Sequence, residues 1–130
     1  MKLIARNTDY AIRAICYISK QKALVSVNEL VKRLGVPRPF MRKILQRLNK
    51  EKILESYKGL GGGFKLKILP KNINIIQIMS IFQNRVGLSE CFLKKNICPN
   101  RGKCILRRKI KIIENNVLDQ LKKINIAALI

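Results

Sequence analysis

Residues 26–50 read SVNELVKRLGVPRPFMRKILQRLNK, and this stretch decides the fold. Its first four letters, SVNE, have the form of a capping box: the Ser26 hydroxyl accepts a hydrogen bond from the backbone amide of Glu29, and the Glu29 side chain reaches back. A short apolar stripe at helical spacing follows, and Gly35 is suited to end the helix. The pattern predicts a short helix with a defined start and stop.

A second helix follows after a turn of very few residues. Pro37 closes that turn, and Pro39 suits the first position of the next helix. The apolar residues expected to face inward recur at helical spacing, at Phe40, Ile44, Leu45 and Leu48. Two helices joined by so short a turn predict a helix-turn-helix.

The outward side of this second helix carries charge of one sign. Its polar residues are Arg38, Arg42, Lys43, Gln46, Arg47 and Lys50, and no acid occurs before Glu51. A solvated helix usually mixes signs, because opposite charges four residues apart stabilise it. A one-signed basic face therefore favours a polyanion in front of it.

A glycine cluster separates two strand-like segments, 53–58 and 64–68. A phosphate-binding loop is excluded, because the glycines lead into a strand without the Gly-Lys-Ser/Thr signature, and no complete G-x-G-x-x-G occurs. The alternatives are a plain hairpin turn or a basic two-stranded wing with a flexible tip. We favour the wing, which together with the helix-turn-helix predicts DNA contacts at Ser26, Arg38, Phe40, Arg42, Lys43, Arg47, Lys58, Gly61 and Lys65.

Three further helices are expected around this unit. Periodicity predicts a first helix from Asn7 to Lys20, capped by Asn7 or Thr8. Another helix, capped by Asn72 or Asn74, is expected to end near Gly87. The last helix begins near Lys103, and its apolar stripe comprises Leu106, Ile110, Ile113, Val117, Leu121 and Ile124. The alternatives for that stripe are packing within the chain and packing against a second copy. Nothing in the sequence follows the stripe to cover it, which favours a homodimer.

The predicted fold is mainly α with a small β wing: a winged helix-turn-helix followed by a long C-terminal dimerisation helix. The predicted divisions are a DNA-binding domain (1–70), a connecting helix (71–86), a cysteine loop that binds a cluster (87–104), and the dimerisation helix with its tail (105–130). A chain of 130 residues has room for one core and no second catalytic domain.

Composition narrows the function class. The chain has 28 Lys and Arg against 7 Asp and Glu, a net charge of +21, which indicates a nucleic-acid partner. The alternative is a solvated basic surface. The charges are spread along the chain, without an apolar helix face opposite them, which disfavours a membrane surface. No secretory signal or spanning segment is recognised, so a cytoplasmic location is expected. The chain has no histidine, which excludes Ser-His, Cys-His and His-zinc catalysis, and no enzyme is expected.

Three cysteines, Cys91, Cys98 and Cys104, lie close together in the sequence. Structural zinc sites favour pairs separated by two to four residues, so zinc is disfavoured but stays open. Wider gaps suit an iron-sulfur cluster, because its iron atoms are spread over several ångströms. Cys16 lies among apolar residues of the first helix, where a cysteine behaves as a small hydrophobe. Uncomplexed thiols are the remaining alternative.

These features occur together in an order that resembles a known family. TDYAIR at 8–13, GGGF at 61–64 and the cysteine trio resemble the Rrf-type bacterial regulators, which include the IscR and NsrR branches. The resemblance implies a homodimer that crosses its C-terminal helices, with DNA affinity set by an iron-sulfur cluster beside the helix-turn-helix. It implies that Phe40, Arg42 and Lys43 stand at the positions where members of the family contact the edges of DNA bases. Arg42 replaces an acid typical of the IscR branch, and a basic residue there favours guanine or phosphate.

The fourth ligand follows from the same resemblance. Arg107 stands where the IscR branch has its histidine ligand, whereas Asp9 matches the aspartate that ligates a 4Fe-4S cluster in the NsrR branch. An oxygen ligand leaves iron more readily than a thiolate, which makes that iron the natural point of attack for a small molecule. A plain helix-stabilising role is the alternative for Asp9, and Glu90 is the next candidate ligand. A 4Fe-4S cluster is favoured, and 2Fe-2S is possible.

The sequence thus predicts a repressor that binds a double-stranded DNA operator and senses nitric oxide, iron supply or cluster status. One alternative is a cluster-free member of the family that senses redox change through its thiols or binds zinc. Another is a nonspecific basic nucleic-acid-binding protein, which differs in lacking a preference of roughly a thousandfold for its operator.

Overall fold

The computed structural model describes residues 3–83 and 104–130. The helices are α1 (Arg6–Lys20), α2 (Val27–Leu34), α3 (Arg38–Lys50), α4 (Ile75–Phe82) and α5 (Ile105–Lys122), and the strands are β1 (Leu54–Tyr57) and β2 (Gly63–Leu66). Short 3-10 turns cover Pro70–Asn72 and Ile126–Leu129. The fold is mainly α with a two-stranded wing, as predicted. No helix among these residues is long and apolar enough to cross a bilayer.

The helix-turn-helix begins and ends as its sequence predicts. The Ser26 hydroxyl accepts from the amide of Glu29 at 3.1 Å, and Gly35 ends α2 with φ +66°, a conformation that glycine adopts without steric cost. Pro37 is the N-cap residue of α3, and Pro39 lies at its second position, one residue later than predicted. Proline is tolerated there because the first amides of a helix have no partner within the helix.

The wing is an antiparallel hairpin in which Leu54 pairs with Leu66 and Tyr57 with Gly63. Gly62 closes its tip by donating to the carbonyl of Gly59 at 3.0 Å. A Cβ on Gly62 would collide with the backbone oxygen of Tyr57. The hairpin therefore needs glycine at this position because two backbone segments approach closely.

One hydrophobic core holds these elements together. On α3 the buried residues are Met41, Ile44, Leu45 and Leu48, each at most 2% exposed. The same core includes α1 through Ala11, Ala14, Ile15 and Ile18, α4 through Ile78 and Met79, and the C-terminal turn through Ile126. The core thus joins segments on both sides of residue 70, and α1 contacts both α3 and α4 within it.

Helix α5 differs from the others in its burial. Leu121 is its buried residue, and Val117 packs against the core from a partly buried position. The apolar side chains of its first half, Ile105, Leu106, Ile112 and Ile113, are between 54% and 70% exposed. The described part of the chain thus covers the end of α5 and leaves its beginning open.

Two predictions about helix starts are wrong in detail. Asn7 and Thr8 lie inside α1, whose N-cap is Ala5 with no side-chain acceptor of its own. The Glu29 side chain does not complete the capping box; it accepts a hydrogen bond of 2.6 Å from the Tyr17 hydroxyl. In both cases a tertiary partner replaces the local one.

The predicted inward face of α3 is wrong at Phe40. Phe40 is 48% exposed, whereas its neighbour Met41 is fully buried. Met41 is three, four and seven residues from Ile44, Leu45 and Leu48, so it shares their face, and Phe40 is turned toward solvent. Helix α4, capped by Asn74, ends at Phe82 with an extended Gln83, five residues before its predicted end near Gly87, so that predicted end is wrong.

Candidate functional site

Helix α3 presents a continuous basic surface on the side opposite the core. We call five exposed residues the reading face: Arg38, Phe40, Arg42, Lys43 and Arg47. Arg47 pairs with Glu51 at 3.4 Å, and the two side chains are 47% and 39% exposed, so water reaches this pair and weakens it. Four positive charges thus project from a helix whose other side is locked by packing.

Phe40 lies over a groove between three helices. The groove measures about 310 Å³ and is lined by Asn7 of α1, by Phe40, Lys43, Ile44 and Arg47 of α3, and by Ile81 and Phe82 of α4. The reading face therefore meets the beginning of α1 and the end of α4 at one place. A shift of either helix would change the surroundings of Phe40, Lys43 and Arg47.

The wing adds a second basic surface. Lys65 lies over the Tyr57 ring at 5.1 Å and 3.8 Å from Glu55 across the hairpin. Tyr57, and to a smaller extent Glu55, raises the pKa of the Lys65 ammonium. Lys58 and Gly61 are exposed at the tip. The wing thus holds its lysine through neighbouring side chains while its tip stays open.

Ser26 lies where the wing meets the helix-turn-helix. The residue before it, Val25, exchanges two backbone hydrogen bonds with Phe64 of β2, of 3.0 and 2.8 Å. A Cβ on Gly63 would come within 2.6 Å of the Val25 carbonyl oxygen, so the glycine permits this contact. The start of α2 and the wing are therefore one rigid unit.

The predicted metal ligands are only partly within the described residues. Cys91 and Cys98 lie outside them. Asp9 is in the first turn of α1 and pairs with Arg13 at 3.1 Å, and Cys104 is the N-cap residue of α5. Among residues 3–83 and 104–130, no three metal-binding side chains converge. The predicted ligand set is therefore neither assembled nor contradicted by the described geometry.

Cys16 has the environment of a packing residue. It is half-buried and packs against the core. Burial raises the pKa of its thiol, and the nearby Lys20 partly offsets this. A thiol with a raised pKa stays protonated at neutral pH and is a poor metal ligand.

One polar contact near Asp9 has no signal in the local sequence. Gln83, the C-cap residue of α4, accepts hydrogen bonds from the Ala5 amide at 3.1 Å and from the Thr8 hydroxyl at 2.8 Å. These partners are separated by 78 and 75 residues in the chain, so no spacing rule applies. Only the packing of α4 against α1 reveals the contact.

Comparisons with known proteins agree with this arrangement. Residues 4–130 match the family Rrf2, described as an iron-dependent transcriptional regulator. A putative HTH-type transcriptional regulator of Aquifex aeolicus is 32% identical over 131 residues, covering 98% of this chain and 91% of that protein. The regulator NsrR of Bacillus subtilis is 26% identical, covering 82% of this chain and 75% of its own length.

Solved structures share the fold. CymR, the global cysteine regulator of B. subtilis, superposes with a TM-score of 0.78 at 15% identity, covering 99% of this chain and 96% of its own. T. potens IscR superposes with a TM-score of 0.70 at 21% identity, covering 99% of this chain and 85% of its own. The relatives identified by sequence are transcriptional regulators and not enzymes. The chain belongs to the Rrf2 family and is a DNA-binding transcriptional regulator.

Proposed function

We propose that this chain is a homodimeric repressor of the cytoplasm that binds one operator sequence and is controlled by an iron-sulfur cluster. The observation that carries the DNA part is the reading face, four exposed cations on the second helix of a helix-turn-helix beside a basic wing. The cluster part is supported by the family match over residues 4–130 and by the donor set Cys91, Cys98, Cys104 and Asp9.

DNA recognition follows from the shape and charge of α3. A helix of this kind fits the major groove, where arginine donates two hydrogen bonds to guanine. We assign base reading to Arg42 and Lys43 and an apolar contact, such as with a thymine methyl group, to Phe40. Arg38 and Arg47 at the sides of the helix, Ser26 at the start of α2, and Lys58, Gly61 and Lys65 of the wing contact phosphates.

The proposed homodimer is supported by the open half of α5. Four large apolar side chains between 54% and 70% exposed lie on one helix, and a second copy of the same helix would remove them from water. Dimeric helix-turn-helix proteins bind two half-sites about one DNA turn, roughly 34 Å, apart. A symmetric operator is therefore expected.

The described ligands fit an iron-sulfur cluster in their chemistry. Asp9 is held by one exposed pair with Arg13, a kind of pair that contributes about 0–1 kcal/mol and is readily exchanged for a metal. Cys104 is partly exposed at the start of α5. Cys91, Cys98, Cys104 and Asp9 would hold the cluster, which would supply iron able to bind nitric oxide. Asp9 would be the most easily displaced ligand of this set, because its donor atom is oxygen.

The experiment that tests this function uses anaerobically purified protein. We expect iron and acid-labile sulfide in equal amounts, a visible absorption band, and Mössbauer spectra of a 4Fe-4S cluster. In Asp9→Ala one iron site should change its spectrum, and the cluster should be lost more readily. Asp119→Ala, which removes an exposed carboxylate of α5, is the matched control and should behave as wild type.

Two results would contradict the cluster, and a third would contradict Asp9 as its fourth ligand. Protein with neither iron nor sulfide would indicate thiol sensing, and protein with zinc alone would indicate a zinc site. Identical spectra for wild type and Asp9→Ala would show that another residue is the fourth ligand of the cluster. Glu90 is the first candidate to test.

A further inference from the structure

The side chain of Gln83 joins the end of α4 to the beginning of α1. Its Oε1 accepts from the Ala5 amide at 3.1 Å and from the Thr8 hydroxyl at 2.8 Å. Its Nε2 donates to the carbonyl of Leu3 at 3.3 Å. Both ends of one amide group are thus bonded to the chain segment that opens α1.

This contact satisfies groups that α1 does not satisfy itself. The first amides of a helix lack partners within the helix, and the N-cap residue Ala5 has no side-chain acceptor. Thr8 is fully buried, so its hydroxyl has no access to water. Gln83 supplies the acceptor for both groups, which makes its position sensitive to any displacement of α4 relative to α1.

The Gln83 contact lies next to both the proposed ligand Asp9 and the reading face. The Asp9 amide donates to the Ala5 carbonyl at 2.9 Å, so the proposed ligand lies in the turn that Gln83 caps. Ile81 and Phe82, directly before Gln83, line the groove beneath Phe40, Lys43 and Arg47 of the reading face. The residue after Gln83 in the sequence begins the segment that carries Cys91 and Cys98.

We propose that Gln83 is a positioning residue that holds the Asp9 turn of α1 in register with α4 and, through the shared groove, with the reading face. It does not contact the cluster; it acts through Asp9 and the first turn of α1. The role toward Asp9 rests on the proposed function. Loss of the Gln83 contact would leave the core of α1 in place and loosen its first turn.

The first test uses cluster-free protein and measures hydrogen exchange of the amides of Ala5 to Asp9. In Gln83→Ala we expect exchange to accelerate about fivefold, the effect of losing one net hydrogen bond. Gln83→Glu keeps an acceptor beside the positive end of α1 and should restore most of the protection. Gln77→Ala, the same substitution six residues earlier on α4, is the matched control and should leave these amides unchanged.

The second test uses anaerobically loaded protein and compares visible and Mössbauer spectra. Gln83→Ala should change the same iron site as Asp9→Ala, and the double variant should show no further change, because both substitutions act on one ligand. Gln83→Glu and Gln77→Ala should match wild type. Thermal unfolding of each apo variant checks that the fold is retained.

The outcomes separate this inference from the proposed function. If wild type loads a cluster and Asp9→Ala alters it while Gln83→Ala does not, the positioning role is wrong and the proposed function stands. If Gln83→Ala leaves the hydrogen exchange of the Ala5 amide unchanged, the Gln83 contact does not stabilise the first turn of α1, and the inference fails. If wild type binds no iron and sulfide, the proposed function fails, and the role of Gln83 toward Asp9 fails with it.

Discussion

Helices α3 and α5 are both amphipathic, but their apolar faces are buried to different extents. The apolar face of α3 is completely buried, with Met41, Ile44, Leu45 and Leu48 at most 2% exposed. The first half of α5 leaves Ile112 and Ile113 more than half exposed. One helix has its packing partners within the described part of the chain, and the other has them only at its C-terminal end.

The difference shows what each helix requires. Helix α3 projects cations toward a ligand, and its side chains hold a fixed geometry only because the core fixes the backbone beneath them. Helix α5 projects apolar side chains, which are stable in water only when another apolar surface covers them. Burial thus separates a basic helix face that the core holds in place from an apolar helix face that the described residues leave uncovered.

The largest expected effect comes from charging the open face of α5. The double substitution Leu106→Lys/Ile113→Lys would bring four cations into a symmetric dimer interface and should weaken dimerisation by more than about a thousandfold. Analytical ultracentrifugation should show wild type as a dimer, at twice the chain mass of 15.0 kDa. The double variant should sediment as a monomer, at the mass of one chain. Lys111→Ala, an exposed change on the opposite side of the same helix, is the control. A wild type that sediments as a monomer would contradict the proposed role of α5.

The second prediction measures stability within that monomeric double variant. Leu45→Ala should lower the free energy of unfolding by about 2–5 kcal/mol, because it leaves a cavity in the core. Ile112→Ala should change it by less than about 0.5 kcal/mol, because its side chain is solvated in the monomer. Denaturant unfolding followed by circular dichroism measures both. Equal losses would show that α5 belongs to the same packed core as α3.

The third prediction concerns the reading face. Arg42→Ala should weaken binding to the preferred duplex by about 1–3 kcal/mol and relax the base preference at one position. Lys71→Ala removes an equal charge from an exposed turn outside the reading face and should have a much smaller effect, the same on all sequences. Binding titrations with a duplex selected by wild type from a random pool measure both. Equal losses of DNA affinity in the two variants would show that Arg42 contributes only nonspecific electrostatic attraction.

Local sequence rules predicted the elements whose stabilising contacts are local. Ser26, Gly35 and Asn74 cap helices as expected, because each acts within a few residues of itself. Met41 was also within reach of the sequence, since it stands at three, four and seven residues from the other buried positions of α3. The predicted inward position of Phe40 is wrong by one residue.

The remaining differences come from contacts between distant segments. Asn7 and Thr8 are reasonable caps by sequence, yet Gln83 supplies the acceptor at the start of α1. Glu29 was expected to complete a capping box and instead accepts from Tyr17. Such pairs depend on the packing of whole helices, which no short pattern encodes. The predicted ligands Cys91 and Cys98 lie outside the described residues and stay a prediction.

The most direct test of the whole account is the affinity of one preparation for the selected duplex with the cluster present and after its removal, in competition with unrelated DNA. The account predicts a preference of roughly a thousandfold or more for the selected duplex in one state. It also predicts that this preference falls at least about tenfold when nitric oxide or iron chelation alters the cluster. Equal affinity in both states, or no preference over unrelated DNA, would contradict it.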